Sequence, residues 1–85
     1  MVSDPVCWGE LMPGDVVRWE VSGKKLTLVV LNQYESDLHA CYRHNKVMEF
    51  LDMESGKIRC HDNDTGAFLR DLNISLVERG HAQGA

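Results

Sequence analysis

Residues 26–31 have the sequence Leu-Thr-Leu-Val-Val-Leu, the longest apolar run of the chain. A run of about six residues is too short for a typical helix, and β-branched Thr27, Val29 and Val30 favour an extended strand. Side chains alternate between the two faces of a strand, so this strand is apolar on both faces. Apolar residues on both faces need cover on both sides, which predicts a central strand of a sheet.

A second strand is predicted directly before this run. Residues 16–21 alternate, with Val17, Trp19 and Val21 on an apolar side and Arg18 and Glu20 on a polar side. The short link Ser-Gly-Lys-Lys joins the two strands, and a brief connection that contains glycine predicts a β-hairpin.

A tight turn is predicted upstream of the hairpin. Pro13 fixes φ and Gly14 permits a positive φ, as turn residues do. Asp15 is placed to accept backbone N–H groups in this turn, and Leu11 is placed to enter the core. Downstream of the central strand, residues 32–37 are polar and predict a loop that contains Tyr34.

The remaining chain predicts further short strands and turns. The strands are predicted at residues 38–43, 47–52, 57–61, 67–69 and 74–78, the turns at 44–46, 54–56 and 62–66, and a single helical turn at 71–73. A slip of one residue would exchange the two faces of any of these strands. We expect Met48 and Phe50 to face the core together with Ile58 and Cys60. This register places Glu49 outside among cations, whereas the opposite register would bury it without a partner.

These elements predict an all-β fold, a small barrel of five to six antiparallel strands with a short helical turn. Residues 1–9 are an irregular lead-in, residues 10–79 form the single barrel domain, and residues 80–85 are a flexible tail. The segment Leu11-x-Pro-Gly-Asp-Val-Val17, followed by a hairpin and a buried strand, resembles the opening of Src-homology-3-like small barrels. The resemblance implies a closed or half-closed barrel over residues 10–79 and transfers no functional residues.

Bulk properties narrow the classes of function. The chain has 85 residues and a net charge of −4, which disfavours a general nucleic-acid binder. No apolar segment is long enough for a membrane-spanning helix, and the N-terminus does not resemble a secretory signal. Three cysteines cannot all pair within one chain, so free thiols in a reducing cytoplasm are expected.

Metal binding is a minor hypothesis. The possible ligands are His39, Cys41, His44, Cys60 and His61. Their spacing matches no known zinc site, and strands two apart hardly converge on one ion. We therefore predict no metal and no cofactor, and retain a small metal-binding protein as the third hypothesis.

Enzymatic activity is not predicted. Cys41 lies between His39 and Arg43, an environment that could lower a thiol pKa, but no nucleophile motif surrounds it. Residues 62–66 carry oxygen ligands suited to calcium, yet they lack the twelve-residue loop and its final glutamate. Buried or surface thiols and ordinary turn chemistry explain both groups.

The leading hypothesis is a non-catalytic binding module for protein–protein interaction or self-association. Its predicted partner-binding residues are the aromatics Trp8 and Tyr34 and the cations His39, Arg43 and Arg59, because large aromatics with a polar edge are common interface anchors. The alternative is a nucleic-acid-binding barrel that uses a cationic face. That face contains His39, Arg43, Lys57 and Arg59 and continues through His44, Lys46 and His61. No membrane partner is expected.

Overall fold

The computed structural model describes residues 4–35 and 44–80. The described part contains five antiparallel strands in one sheet, in the order β4-β3-β2-β1-β5. The strands are β1 (Val16–Val21), β2 (Lys24–Glu35), β3 (Asn45–Asp52), β4 (Ile58–Asp64) and β5 (Ile74–Glu78). Two short 3₁₀ turns, Trp8–Glu10 and Leu69–Leu72, complete it. The predicted all-β class is confirmed, and β2 is the central strand as predicted.

The predicted hairpin joins β1 and β2. Ser22 and Gly23 form its loop, and both have a positive φ, 51° and 79°. Positive φ at both loop residues matches the right-handed twist of the flanking strands, so this short connection keeps the two strands in register. Val17 lies opposite Leu28 and Trp19 opposite Leu26 in that register.

The central strand is longer than predicted, because β2 continues to Glu35 through the residues expected to form a loop. Its pairing with β3 shifts between Val30 and Asn32, as at a β-bulge. The residues after the bulge are polar although they belong to the strand, and Asn32, Tyr34 and Glu35 are exposed there. Leu28 and Val29 are the two residues of β2 whose Cα atoms pair on both sides, with β1 and with β3.

One face of the sheet, the inner face, carries the hydrophobic core. Its buried apolar residues are Trp8, Leu11, Val17, Leu28, Val30, Met48, Phe50, Leu69 and Ile74. The opposite face, the outer face, is less covered. Val29 is half-buried there, and Leu31 at the bulge is 41% exposed. Within the described residues, the predicted cover of the central strand is therefore complete on the inner face and partial on the outer face.

The N-terminal lead-in contributes to this core. The backbone N–H of Trp8 donates to the carbonyl of Ala67 at 2.8 Å, and that of Gly9 donates to Thr65 at 3.0 Å. The indole Nε1 of Trp8 donates to the carbonyl of Lys46 on β3, also at 2.8 Å. These bonds hold Trp8 across the core, with none of its surface exposed.

The turn before β1 is built as expected. Gly14 has a φ of 94°, and the buried Asp15 carboxylate accepts the backbone N–H of Met12 at 2.8 Å. Asp15 also accepts the N–H of Gly80 at 2.7 Å, and the guanidinium of Arg79 lies 3.6 Å from it. Gly80, predicted to begin the flexible tail, is therefore attached to this turn.

The predicted register of β4 was wrong. Met48 pairs with His61 and Phe50 with Arg59, so these two polar residues lie on the inner side. Ile58 is 63% exposed instead of facing the core. Cys60, the other residue predicted to face inward, is exposed as well.

A buried carboxylate on β3 explains this register. Asp52 is 2% exposed and accepts the backbone N–H groups of Glu54 at 2.9 Å and Ser55 at 3.4 Å in the loop that follows. Arg59 donates to Asp52 through Nε at 3.0 Å, and its Nη2 lies at the same distance. Because an unpaired buried carboxylate is costly, the strand register that brings Arg59 to Asp52 is favoured.

The sheet curls strongly. Trp19 on β1 and His61 on β4 have ring centroids 4.6 Å apart, although β2 and β3 lie between these strands in the sheet. Among residues 4–35 and 44–80, β4 does not pair with β5, so the sheet is not closed. The described part contains no helix that is long and apolar enough to cross a membrane.

Other boundaries differ in smaller ways. The predicted strand 67–69 is a single bridge between Cys7 and Phe68, followed by the turn Leu69–Leu72. The strand Ile74–Glu78 is confirmed. Two of the predicted turns, 44–46 and 62–66, are largely strand, since Asn45 pairs with Asp64. The predicted strand 38–43, with His39, Cys41 and Arg43, lies outside the described residues.

Candidate binding surface on the outer face

A row of apolar side chains crosses the outer face of the sheet. Val16, Val29, Leu51 and Ile58 are successive partners on β1, β2, β3 and β4. The first three are half-buried by their neighbours, and Ile58 at the end of the row is largely exposed. Cross-strand neighbours on one face lie within contact distance, so these residues form a continuous apolar stripe.

Tyr34 lies beyond this row on the same face. It pairs with Val47 on β3 and is 45% exposed. Partial burial raises the pKa of the Tyr34 hydroxyl, and the nearby Cys60 and Glu49 raise it further. Tyr34 therefore keeps its proton at neutral pH and forms a side-chain hydrogen bond with Glu49, in which the hydroxyl donates to the carboxylate.

We call the four exposed residues of this surface, together with Leu51 next to Ile58, the outer patch. It consists of Leu31, Tyr34, Leu51, Ile58 and Cys60. It combines aliphatic side chains, a thiol and an aromatic ring whose polar end is held by a carboxylate. Clusters of exposed apolar residues with polar neighbours mark interaction sites in soluble proteins.

Of the predicted partner-binding residues, the structure supports an exposed position for Tyr34 but not for Trp8. Trp8 has no exposed surface and packs edge-on against Trp19 and Phe50, with ring centroids 5.8 Å from each. The predicted recognition pair of Trp8 and Tyr34 is therefore not formed. Sequence reasoning offered Trp8 for recognition because it lies outside the regular strands.

The predicted cationic face is divided by the register of β4. Arg59 lies on the inner side against Asp52, and the amide of Glu54 and Arg59 both lower the pKa of that carboxyl although burial opposes them. His61 is also on the inner side, on the ring of Trp19. Lys57 and His44 are exposed and Lys46 is half-buried. His39 and Arg43 lie outside the described residues, so the structure does not test their part of the face.

His61 lies in apolar surroundings. Its ring contacts Trp19 and lies 6.1 Å from the ring centroid of Phe50. Burial lowers the pKa of His61, and the positive charge of Arg59 lowers it further. The imidazole is consequently neutral at pH 7.

The described residues contain no group of three or more His, Cys, Asp or Glu side chains that could hold a metal ion. Two of the candidate ligands, His39 and Cys41, lie outside those residues. Within the described part, Cys7 and Cys60 are free thiols.

Sequence reasoning missed Ile58 and Cys60 as surface residues. The signal that could have located them is Asp52. It lies two residues after Phe50 and so on the same inner face, where its charge requires a cationic partner on the next strand. Arg59 fulfils that requirement only if Ile58 and Cys60 face outward. Comparison of the chain with protein-family models, with curated proteins and with solved structures finds no match.

Proposed function

We propose that the protein is a non-catalytic binding module that docks a protein partner on the outer patch. The observation that carries this proposal is the exposure of Ile58, 63%, at the end of an apolar row that crosses four strands. Burial of apolar surface stabilises a complex by about 25 cal/mol per Å² before the costs of association. Tyr34, exposed on the same face, belongs to the residue types that are enriched among interface anchors.

A second copy of the chain is included among the possible partners. Apolar residues in a line across a sheet can meet the same line of a symmetry-related copy, because a twofold interface uses one patch twice. The exposed thiol of Cys60 within the outer patch offers a direct probe of such an interface.

We also propose that the sheet is a half-open barrel of the Src-homology-3-like type in the cytoplasm. The strand order, the curl that brings Trp19 to His61, and the 3₁₀ turn before β5 support the barrel. The free thiols of Cys7 and Cys60 support a reducing compartment.

The test compares the wild type with Ile58→Asp, which places a charge at the most exposed point of the row. The matched control is Val77→Asp, which charges a half-exposed residue on the far edge strand β5. Light scattering across a concentration series measures self-association, and affinity capture with quantitative mass spectrometry measures other partners. We expect Ile58→Asp to weaken complex formation at least tenfold and Val77→Asp to leave it unchanged.

The proposal would be overturned if Ile58→Asp formed the complex as well as the wild type does. It would also be overturned if the wild type were a monomer and captured the same proteins as the two variants. In a parallel measurement, fluorescence anisotropy with single- and double-stranded oligonucleotides at low salt tests the nucleic-acid alternative, which stays a prediction. Binding that falls steeply with added salt would favour it over the protein-binding function.

A further inference from the structure

A polar depression lies on the outer face at the hairpin end of the sheet, away from the outer patch. It has a volume of about 260 Å³ and is lined by Arg18, Glu20, Lys25, Asn73 and Ser75. Two cations and one carboxylate give it a net charge of +1. A depression of this size holds a small ion or one functional group of a larger ligand.

The strand register explains why these side chains converge. Arg18 on β1 pairs with Ser75 on β5, and Glu20 pairs with Lys25 on β2. Residues two apart on a strand share a face, so Arg18 and Glu20 both face the depression. Asn73 has a φ of 61° at the end of the 3₁₀ turn, and its carbonyl accepts the N–H of Glu20 at 3.0 Å, which fixes this corner.

The depression contains an arginine, Arg18, whose guanidinium has no carboxylate partner within the described residues. Across residues 4–35 and 44–80, Arg59, Arg70 and Arg79 each have a carboxylate oxygen within 4.0 Å, and Arg18 has none. Its neighbour Glu20 lies on the same strand but forms no ion pair with it. The planar fork of an arginine matches a carboxylate or phosphate through two parallel N–H···O bonds.

We propose that the depression binds an oxyanion, a carboxylate or a phosphate group. Arg18 supplies the bidentate contact, Lys25 adds a second positive charge, and the Ser75 hydroxyl donates a further hydrogen bond. Glu20 limits the net charge, so the site favours a small anion over a polyanion such as a nucleic acid. This inference goes beyond the proposed protein-binding function and does not rest on the outer patch.

The test is an NMR titration of the ¹⁵N-labelled full chain with sodium phosphate and, separately, with sodium acetate. Sodium chloride at equal ionic strength is the reference, because chloride screens charge without offering oxygen acceptors. We expect saturable shifts of the amides of Arg18, Asn73 and Ser75 with at least one of the two probes. Saturation by phosphate alone assigns a phosphate group, and saturation by acetate assigns a carboxylate.

Arg18→Gln should weaken the saturable binding at least tenfold, and Ser75→Ala should weaken it by a smaller factor. Arg70→Gln is the matched control, because Arg70 is an exposed arginine outside the depression, and this variant should bind the anion as the wild type does. The dispersion of the amide spectrum shows whether each variant is folded. The proposal would be overturned if sodium chloride produced the same amide shifts as phosphate and acetate. It would also be overturned if the wild type and Arg18→Gln bound the anion equally well.

Discussion

The backbone N–H of Gly80 donates a 2.7 Å hydrogen bond to Oδ1 of Asp15, which attaches the residues after β5 to the turn before β1. Oδ2 of the same carboxylate accepts the N–H of Met12 and lies 3.6 Å from Nη1 of Arg79. Asp15 is fully buried, so each of its oxygens is used within the protein. This contact lies where the first and last strands of the sheet pair.

Asp15→Asn is expected to lower the free energy of unfolding by about 1–3 kcal/mol. The amide group has one acceptor oxygen where the carboxylate has two, so either Met12 or Gly80 faces an N–H donor instead. Urea denaturation followed by fluorescence measures the change. Asp71→Asn is the control. The Asp71 carboxylate is 68% exposed and its contact with Arg70 is long, 4.0 Å, so loss of its charge should have no measurable effect on stability. Equal stability of both variants would contradict the role of Asp15.

Gly80→Ala should destabilise the same junction. A Cβ atom at Gly80 would lie 2.5 Å from the carbonyl carbon of Gly14 and 2.7 Å from the nitrogen of Asp15, both backbone atoms. Relief of that overlap requires a backbone shift, with an expected cost of about 1–3 kcal/mol in the same denaturation assay. Gly66→Ala meets nothing closer than 3.6 Å and should stay within about 0.5 kcal/mol of the wild type. A tolerated alanine at Gly80 would show that the junction opens without cost.

Trp8→Phe tests the indole hydrogen bond that links the lead-in to β3. The phenyl ring keeps an aromatic side chain in the core but leaves the carbonyl of Lys46 without its donor. We expect a loss of about 1–3 kcal/mol in the free energy of unfolding. Phe68→Leu changes a residue that is 42% exposed and serves as the control, with little expected change. The prediction fails if the two variants unfold at the same urea concentration.

His61 should make stability depend on pH. Since burial lowers its pKa in the folded state, the unfolded state binds the proton more tightly. The stabilisation is fully present above the ordinary histidine pKa of about 6.5 and is lost as the pH falls through the window below it. Unfolding midpoints at about pH 7 and about pH 5.5 measure this loss. His61→Phe should reduce the difference between them. An unchanged difference in His61→Phe would assign the pH effect to other groups.

Much of the sheet follows from local sequence. Alternating apolar residues located β1 and the first half of β2, and the Ser-Gly link located their hairpin, because turn chemistry and alternation act over a few residues. Leu11, Asp15 and the positive φ of Gly14 were predicted correctly for the same reason.

The candidate site was less predictable, because which residues of β4 face outward depends on the ion-pair partner of the buried Asp52. Composition alone makes Ile58 and Cys60 the apolar side of β4, yet the charge of Asp52 selects the opposite register through Arg59. The long-range partner of Trp8 is likewise a backbone carbonyl on a distant strand, which no local pattern indicates.

The narrow overlap of pairings along β2 has a consequence for how the protein unfolds. Leu28 and Val29 are the residues of β2 that pair with both β1 and β3, and the ring of Trp8 contacts Trp19 on β1 and Phe50 on β3. Separation of either half would expose the apolar surface of both. The described fold therefore lacks a part that can melt alone, and loss of order should proceed as a single cooperative transition.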